Sequence, residues 1–206
     1  MKSTGTFTVE KGILAVNGVD IKIGMSQNTL LKKLDDSMIA MIFGNCGSNK
    51  INTTKIAEVP KDANHLSIYL KDTSILGIKS CTVLITIING VVDDIFVKLG
   101  SKNNDNIKAH NLKCKKEGIK STYADYKKDC PDLLKNMEES YIKAVSQLIK
   151  QYPDLRISDN KNLIIDIKNY HLEGSHKTFK EKKLNDKEQI YNEVYSLQLR
   201  DNTKRY

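Results

Sequence analysis

The stretch CTVLITIINGVVDDIFVKLG, residues 81–100, decides the fold class of this chain. Two runs rich in β-branched residues flank Asn89 and Gly90. Asn-Gly is the dipeptide best suited to a two-residue type I′ turn, because both residues of that turn need a positive φ. The stretch therefore predicts a β-hairpin in which Ile88 faces Val91 across the turn.

Two aspartates, Asp93 and Asp94, interrupt a hairpin whose faces are otherwise largely apolar. Apolar residues on both faces predict a sheet that is covered at least partly on both sides, rather than an open edge. In a regular register Asp93 faces Thr86 and Asp94 faces Ile85, because neighbouring strand residues point to opposite faces. The two carboxylates then cannot act on one substrate, and only a β-bulge would bring them together. We interpret them as ordinary strand aspartates.

The rest of the first hundred residues alternates between strand and turn patterns. Short strands are predicted on either side of turns at Gly12 and Gly18. Ser26 can cap a helix, and the leucines that follow it predict a helix over about 27–34. The polar stretch 46–64 is predicted to be an irregular connection.

The strongest helix signal runs from about 132 to 152. Pro131 suits the first turn of a helix, Pro153 ends it, and apolar residues recur between them at three- and four-residue steps. With the short helix at about 27–34, the predicted fold class is α+β, a mainly antiparallel sheet with one short and one long helix packed on it. Three strands are predicted near the end of the chain, the second of them a basic edge strand: 163–169, 176–183 and 194–200.

A polar segment at 101–111, almost without large apolar residues, is typical of an internal boundary. The chain then divides into an α+β sheet unit (1–100), a polar connection with a short helical candidate (101–130), and a long helix with C-terminal strands (131–206). A chain of 206 residues can also form these parts as one continuous domain.

The formal net charge of +8 lies mostly in the second half of the chain. Residues 1–100 contain 11 Lys and Arg against 9 Asp and Glu, and residues 101–206 contain 22 against 16. Eight of the nine tyrosines also follow residue 100. Interleaved basic and aromatic residues suit an acidic protein partner or nucleic acid, and a solvated basic surface is the third interpretation. Only 3 of the 33 basic residues are Arg, which nucleic-acid binders use most for base and phosphate contacts.

The four cysteines, Cys46, Cys81, Cys114 and Cys130, show no C-x-x-C pair and no close spacing. This spacing argues against a zinc module or a thioredoxin-type site, and we interpret the cysteines as unpaired thiols, although an envelope location would reopen the disulfide interpretation. No run reaches the roughly 18 apolar residues of a membrane-spanning helix, and the N-terminus has no apolar signal-peptide core. We therefore expect a cytoplasmic protein, or a periplasmic one if a leader has been removed.

The sequence carries none of the common motifs for phosphate binding, dinucleotide binding, serine hydrolysis or zinc proteolysis. His110 and Cys114 would lie one helical turn apart only in a helix, and we interpret them as a surface histidine and a semi-buried thiol. His171 and His176 are five residues apart, which matches neither one helix face nor one strand face. The prediction is a non-enzyme without catalytic, cofactor-binding or metal-binding residues.

Two motifs of the first half occur in a suggestive order: the segment IGMS at residues 23–26, which precedes the short helix, and the hairpin turn at Asn89 and Gly90. In this order, over about residues 13–100, they resemble the small α+β modules of SmpA/OmlA-type envelope lipoproteins and β-lactamase-inhibitor-like domains. The sequence departs from that pattern at 34–37, where LDDS stands instead of Leu-Gly-x-Pro, and it shows no lipidated N-terminal cysteine. The resemblance implies a sheet with helical packing and an exposed protein-binding surface.

In its size and its lack of catalytic motifs, the chain also resembles bacterial toxin-immunity proteins, in type and not in motif. We therefore predict a non-enzymatic protein-binding module, an immunity or inhibitor protein that neutralises a bacterial toxin by direct binding. A nucleic-acid-binding accessory protein is the alternative, and an envelope-assembly protein is the third interpretation. The predicted contact residues lie in the Tyr- and Lys-rich second half: Tyr170, Lys177, Phe179, Lys180, Lys182, Lys183, Tyr191 and Tyr195.

Overall fold

The computed structural model describes residues 4–99, 112–118, 128, 131–157, 162–182 and 189–203. These residues form a small sheet of order β1-β2-β3 and a nine-stranded sheet of order β5-β4-β6-β7-β8-β12-β11-β10-β9. Neighbouring strands are antiparallel in both sheets, which confirms the predicted mainly antiparallel architecture. The strands are β1 (Thr6–Thr8), β2 (Ile13–Val16), β3 (Val19–Lys22), β4 (Ile39–Cys46), β5 (Asn49–Thr53), β6 (His65–Ile75), β7 (Ile78–Ile88), β8 (Val91–Leu99), β9 (Arg156–Ile157), β10 (Leu163–Ile167), β11 (Tyr170–Lys182) and β12 (Gln189–Asp201).

The short helix α1 (Gln27–Lys33) and the long helix α2 (Pro131–Gln151) lie close to their predicted bounds. Ser26 caps α1 as predicted, because its Oγ accepts a hydrogen bond from the N–H of Thr29 at 3.2 Å. A further helical segment covers residues 112–117. None of the described helices is long and apolar enough to cross a membrane.

Strands β7 and β8 form the hairpin that the opening stretch predicts. The φ angles of Asn89 and Gly90 are 50° and 76°, as a type I′ turn requires. Ile88 faces Val91, so the register next to the turn is also as predicted.

Farther from the turn, the predicted register is wrong by one residue because β8 contains a β-bulge. Val92 faces Ile87, but the next pair is Asp94 with Thr86, which leaves Asp93 as the extra residue. Val92 is fully buried, whereas Asp93 and Asp94 are both half-buried. The bulge therefore removes the regular alternation that would have placed the two carboxylates on opposite faces.

On the side opposite β7, strand β8 contacts one segment before the bulge and another segment after it. Before it, Gly24 donates its N–H to the carbonyl of Val92 at 2.7 Å, and the N–H of Val92 donates to the carbonyl of Met25 at 2.8 Å. From Asp94 onward, that side of β8 pairs with β12. The segment that leads into α1 thus bonds to the part of β8 next to the turn, and β12 bonds to the rest of β8. Asp93, the extra residue, lies between these two sets of contacts.

Residues that face each other across antiparallel strands share a face, so the registers divide the large sheet into two faces. One of them, the covered face, is aliphatic and buried beneath α2, which contacts β7, β8 and β12, and beneath the small sheet, whose β2 contacts β6. Its central residues are Ile42, Leu66, Ile68, Val83, Ile85, Ile87, Ile95, Val97, Leu197 and Leu199. We call the other the open face, because most of its described side chains stay partly exposed. The sequence predicts cover on both faces, and the described residues provide it on one.

The C-terminal end of α2 is tied to the beginning of the chain. The hydroxyl of Tyr152 accepts a hydrogen bond from the N–H of Val9 at 2.9 Å and donates to the Glu10 carboxylate at 3.0 Å. The side-chain amide of Gln151 donates to the carbonyl of Phe7 at 2.8 Å. These bonds hold the small sheet and α2 together over the covered face.

The polar stretch 46–64, predicted to be an irregular connection, contains a strand instead. β5 pairs with β4 across a turn at Gly47, whose φ is 58°. Only Ile51 of β5 is buried, because β5 is the outermost strand of the sheet and most of its side chains face solvent. A polar edge strand resembles a loop in composition, which explains the wrong prediction.

The large sheet contains strands from both ends of the predicted division of the chain. β8, from the unit 1–100, pairs with β12, from the unit 131–206, over the pairs Tyr195–Leu99 to Arg200–Asp94. The division into three parts stays a prediction, and the candidate site described next uses strands from both ends.

Candidate interaction surface on the open face

An apolar strip crosses the open face from β4 to β8. We define it as Met41, Phe43, Tyr69, Leu84 and Phe96, of which Met41, Tyr69, Leu84 and Phe96 face one another on successive strands. The rings of Phe43 and Tyr69 stack at a centroid distance of 5.3 Å. Met41 is 45% exposed and Phe43 is 36% exposed, so two large apolar side chains of the strip stand in solvent.

A polar row continues this surface from β8 to β10. We define it as Asp94, Gln198, Arg200, Glu173, His171 and Asp166. The sheet registers bring these residues together, since Asp94 faces Arg200, Arg200 faces His171, and His171 faces Asp166. Gln198 and Glu173 face each other one step along the same strands, and Phe96 of the apolar strip faces Gln198. The strip and the row therefore form one continuous surface.

Asp94 lies at the junction between the row and the strip, and its carboxylate accepts a hydrogen bond from the Gln198 side-chain amide at 2.7 Å. Burial raises the pKa of the Asp94 carboxyl from its ordinary 3.8 to about 6. The Gln198 hydrogen bond and the charge of Arg200 lower this pKa, whereas the negative charge of Asp93 raises it. Ionising Asp94 is therefore less favourable in the folded chain than in water, although a pKa of about 6 still leaves the carboxyl mostly ionised at neutral pH.

His171 lies at the other end of the row and is only 8% exposed. Its Nδ1 lies 2.7 Å from the Asp166 carboxylate, and its Nε2 lies 3.9 Å from the Glu173 carboxylate. Nε2 is buried and has no hydrogen-bond partner. Glu173 also accepts a hydrogen bond from the Asn162 amide at 3.0 Å, and its other oxygen lies 3.8 Å from the Arg200 guanidinium.

This geometry suits binding better than acid–base chemistry. A general base must reach the proton of a substrate, and the Nε2 of His171 is shielded from solvent. In the part of the chain that the structure describes, no group of three or more His, Cys, Asp or Glu side chains is arranged to hold a metal ion. What the surface offers is exposed aromatic and sulfur-containing side chains next to partly buried carboxylates.

Two of the predicted contact residues belong to the packing of the covered face. Tyr170 is half-buried against Gly12, where an added Cβ would come within 2.3 Å of the Tyr170 ring. Tyr195 is only 7% exposed, and its ring lies 5.5 Å from that of Tyr141 and stacks on His176 at 4.2 Å. Little of the Tyr195 surface is left for a partner.

The other predicted contact residues lie in or near the hairpin of β11 and β12, which stays paired as far as Lys182 and Gln189. For Lys177, Phe179, Lys180, Lys182 and Tyr191, the structure describes the backbone alone, and Lys183 lies outside the described residues. The basic run predicted as an edge strand is thus the second half of β11. Its role in binding stays a prediction.

The remaining candidates that the structure describes do not assemble into a site. Cys46, Cys81 and Cys114 form no disulfide with one another. Cys130 and His110 lie outside the described residues, so the pairing of His110 with Cys114 is untested. His171 and His176 lie on opposite faces of β11, as their spacing indicates.

Sequence reasoning missed the open face, although part of its signal is visible in the sequence. In the alternating run LSIYL at residues 66–70, Leu66, Ile68 and Leu70 occupy the covered face, which leaves Tyr69 on the opposite face. An aromatic residue at the polar positions of an alternating strand marks an exposed apolar site. No comparable signal in the sequence marks Asp94, because the face on which Asp94 lies depends on the bulge.

The comparisons with known proteins find no family model, no curated protein and no solved structure that matches this chain.

Proposed function

We propose that this protein is a protein-binding module rather than an enzyme, and that it binds its partner with the open face of the large sheet. The observation that carries the proposal is the stacked pair of Phe43 and Tyr69 beside the exposed Met41. Aromatic residues and methionine are enriched where proteins contact one another, whereas a folded chain gains little by leaving them in water.

The size of the sheet fits this role. Nine strands are separated by eight spacings of about 4.8 Å, so the sheet is about 38 Å wide. A standard protein–protein interface covers about 800 Å² of each partner, roughly 28 Å on a side. The apolar strip would supply the centre of such an interface, and the polar row would supply one side of its rim.

The kind of partner we propose is the one expected from the sequence, a bacterial toxin that the protein neutralises by direct binding. A blocking protein needs a rigid surface more than it needs reactive groups, and a continuous antiparallel sheet provides one. The proposal predicts that the partner is toxic when it is produced alone and harmless when this protein is produced with it.

The test begins by identifying what touches the open face. A photo-crosslinking amino acid is placed at Phe43, and at Ile142 as the control, in cells that produce the native partner. Ile142 is 56% exposed on α2 and lies away from the open face. We expect a specific crosslink from position 43 and none from position 142.

Affinity measurements with the purified partner then decide the proposal. We expect Phe43→Ala to weaken binding at least tenfold and Ile142→Ala to change it less than twofold, because large apolar residues at the centre of an interface carry most of its binding energy. Equal effects of the two substitutions would place the interface elsewhere. Tight binding of a 20-nucleotide single strand or duplex at 50 mM salt, falling steeply as salt is raised, would favour the nucleic-acid alternative.

A further inference from the structure

The carboxylates of the polar row lie on an otherwise basic protein, and their arrangement restricts the chemistry of a partner. The chain carries a formal net charge of +8, yet Asp94, Glu173 and Asp166 lie within one row of the open face, and Asp93 adjoins it. Local charge of this sign favours a cationic group on the facing surface of a partner.

The structure gives the half-buried Asp94 carboxylate little compensation for the water that it loses on folding. Buried charges in folded proteins are paired with an opposite charge or with several hydrogen-bond donors. The hydrogen bond that Asp94 accepts comes from the neutral amide of Gln198. Arg200 faces Asp94 across the strands, but its guanidinium lies 3.8 Å from the Glu173 carboxylate. The positive charge of Arg200 is therefore divided between Asp94 and Glu173.

A second observation in the same row indicates a missing hydrogen-bond donor. If Nδ1 of His171 carries the proton that it shares with Asp166, Nε2 is an acceptor. This Nε2 is buried without a hydrogen-bond partner and faces the Glu173 carboxylate at 3.9 Å. Two acceptors that face each other leave the Glu173 carboxylate without a donor on that side. A partner can reach this carboxylate although it cannot reach Nε2, because Glu173 is partly exposed on the open face.

We propose, on the basis of the proposed function, that the polar row receives a basic side chain of the protein partner, a lysine or an arginine, while a neighbouring apolar side chain of the partner packs on the apolar strip. The ammonium or guanidinium group donates a hydrogen bond to Asp94, and the negative charge of Glu173 farther along the row adds to its attraction. The apolar neighbour contacts Phe96 and Leu84, which adjoin Asp94 on the same face.

Protonation of Asp94 would weaken this contact. The groups that face Asp94 are Asp93 on its own strand, Gln198 and Arg200 on β12, and the uncharged Thr86 on β7. With a pKa of about 6, the Asp94 carboxyl of the free protein is about one-tenth ionised at pH 5. The affinity for a basic side chain should therefore fall roughly tenfold between pH 7.5 and pH 5.

The test uses a displayed library of random dodecapeptides, selected on the full chain at pH 7.5. Peptides whose binding protects β4, β6 and β7 from hydrogen exchange are kept, since these strands carry most of the apolar strip. We expect the kept peptides to be enriched in Lys or Arg next to an aromatic or aliphatic residue. One of them is then synthesised for affinity measurements.

For that peptide we expect Asp94→Asn to weaken binding about tenfold and to remove most of the pH dependence. Asp20→Asn is the matched control, because Asp20 is exposed on β3 of the small sheet, and it should change neither quantity. Glu173→Gln is the second variant and should weaken binding without removing the pH dependence.

Two results would overturn this inference and leave the proposed function standing. One is a set of peptides that bind the open face without a basic residue, and the other is a peptide with equal affinity for Asp94→Asn and for the native chain. A library that yields no peptide for the open face would also count against it. A different result would contradict the proposed function itself: Phe43→Ala would leave the affinity for the native partner unchanged.

Discussion

The two faces of the large sheet are built from the same strands and differ in almost every other respect. In β7 the covered face carries Val83, Ile85 and Ile87, which are fully buried, while the open face carries Leu84 and Thr86, which are half-buried. The covered face is mainly aliphatic and lies beneath α2 and the small sheet. The open face mixes aromatic, charged and hydroxyl side chains. One face stabilises the fold, and most of the described side chains of the other stay partly exposed.

The largest expected effect on stability tests the difference between the two faces at neighbouring residues, Ile85 and Leu84. Ile85→Ala should destabilise the protein by roughly 2–5 kcal/mol, because it removes a fully buried side chain and leaves a cavity. Leu84→Ala, one residue away on the open face, should cost about 1 kcal/mol or less, because water already reaches that side chain. Urea unfolding of the two variants measures both free energies. Equal losses would mean that the open face is as tightly packed as the covered face.

The second prediction concerns a residue that lowers stability on the open face. The difference between the ordinary pKa of 3.8 and the folded value of about 6 for Asp94 corresponds to roughly 3 kcal/mol at 1.36 kcal/mol per unit of pKa. Between about pH 4 and pH 6 the folded chain binds more protons at this group than the unfolded chain, so its contribution to stability falls as the pH rises. Asp94→Asn should therefore stabilise the protein by roughly 1–3 kcal/mol at pH 7.5.

This gain should shrink toward zero at pH 4, where Asp94 is largely neutral in the folded chain. Unfolding free energies of the native chain and of Asp94→Asn across this pH range measure the difference, in which the contributions of other groups cancel. Asp20→Asn, at an exposed position, should change stability by less than about 0.5 kcal/mol. A gain for Asp94→Asn that stays constant with pH would refute the electrostatic explanation.

The third prediction concerns the hydrogen bonds that hold α2 to the small sheet above the covered face. Tyr152→Phe removes the hydroxyl that accepts from the Val9 N–H and donates to Glu10. We expect a loss of about 1–2 kcal/mol, because a buried N–H loses its partner while the ring stays in place. Hydrogen exchange at Val9 should also become faster. If exchange at Val9 does not change, the contact between α2 and the small sheet does not depend on this hydroxyl.

The smallest expected effect lies at the cap of α1, beside the β7–β8 turn. Ser26→Ala should cost about 1 kcal/mol, because the N–H of Thr29 loses its acceptor. Ser26→Gly should cost only a few tenths of a kcal/mol, since glycine suits the capping position. Thermal unfolding can rank the two variants, and the reverse order would indicate that Ser26 acts through its bridge to Val91 rather than as a cap.

The sequence by itself determined the features that depend on neighbouring residues. The turn at Asn89 and Gly90, the cap at Ser26 and the period of the long helix each arise within a few residues of backbone, so their signals are local. They were enough for a mainly antiparallel α+β fold with helices close to the predicted bounds. Composition gave a wrong prediction where an exposed strand resembles a loop, as in β5.

Only the tertiary structure decided which face is covered and where the charged groups meet. The bulge at Asp93 depends on a change of neighbour along β8, and the hydrogen bond between Asp94 and Gln198 joins residues 104 positions apart. Such contacts depend on the pairing of distant strands, and a shift of one residue moves a side chain to the opposite face. For that reason Asp94, which a regular hairpin would pair with Ile85, faces Thr86 instead and belongs to the polar row, with Asp93 beside it.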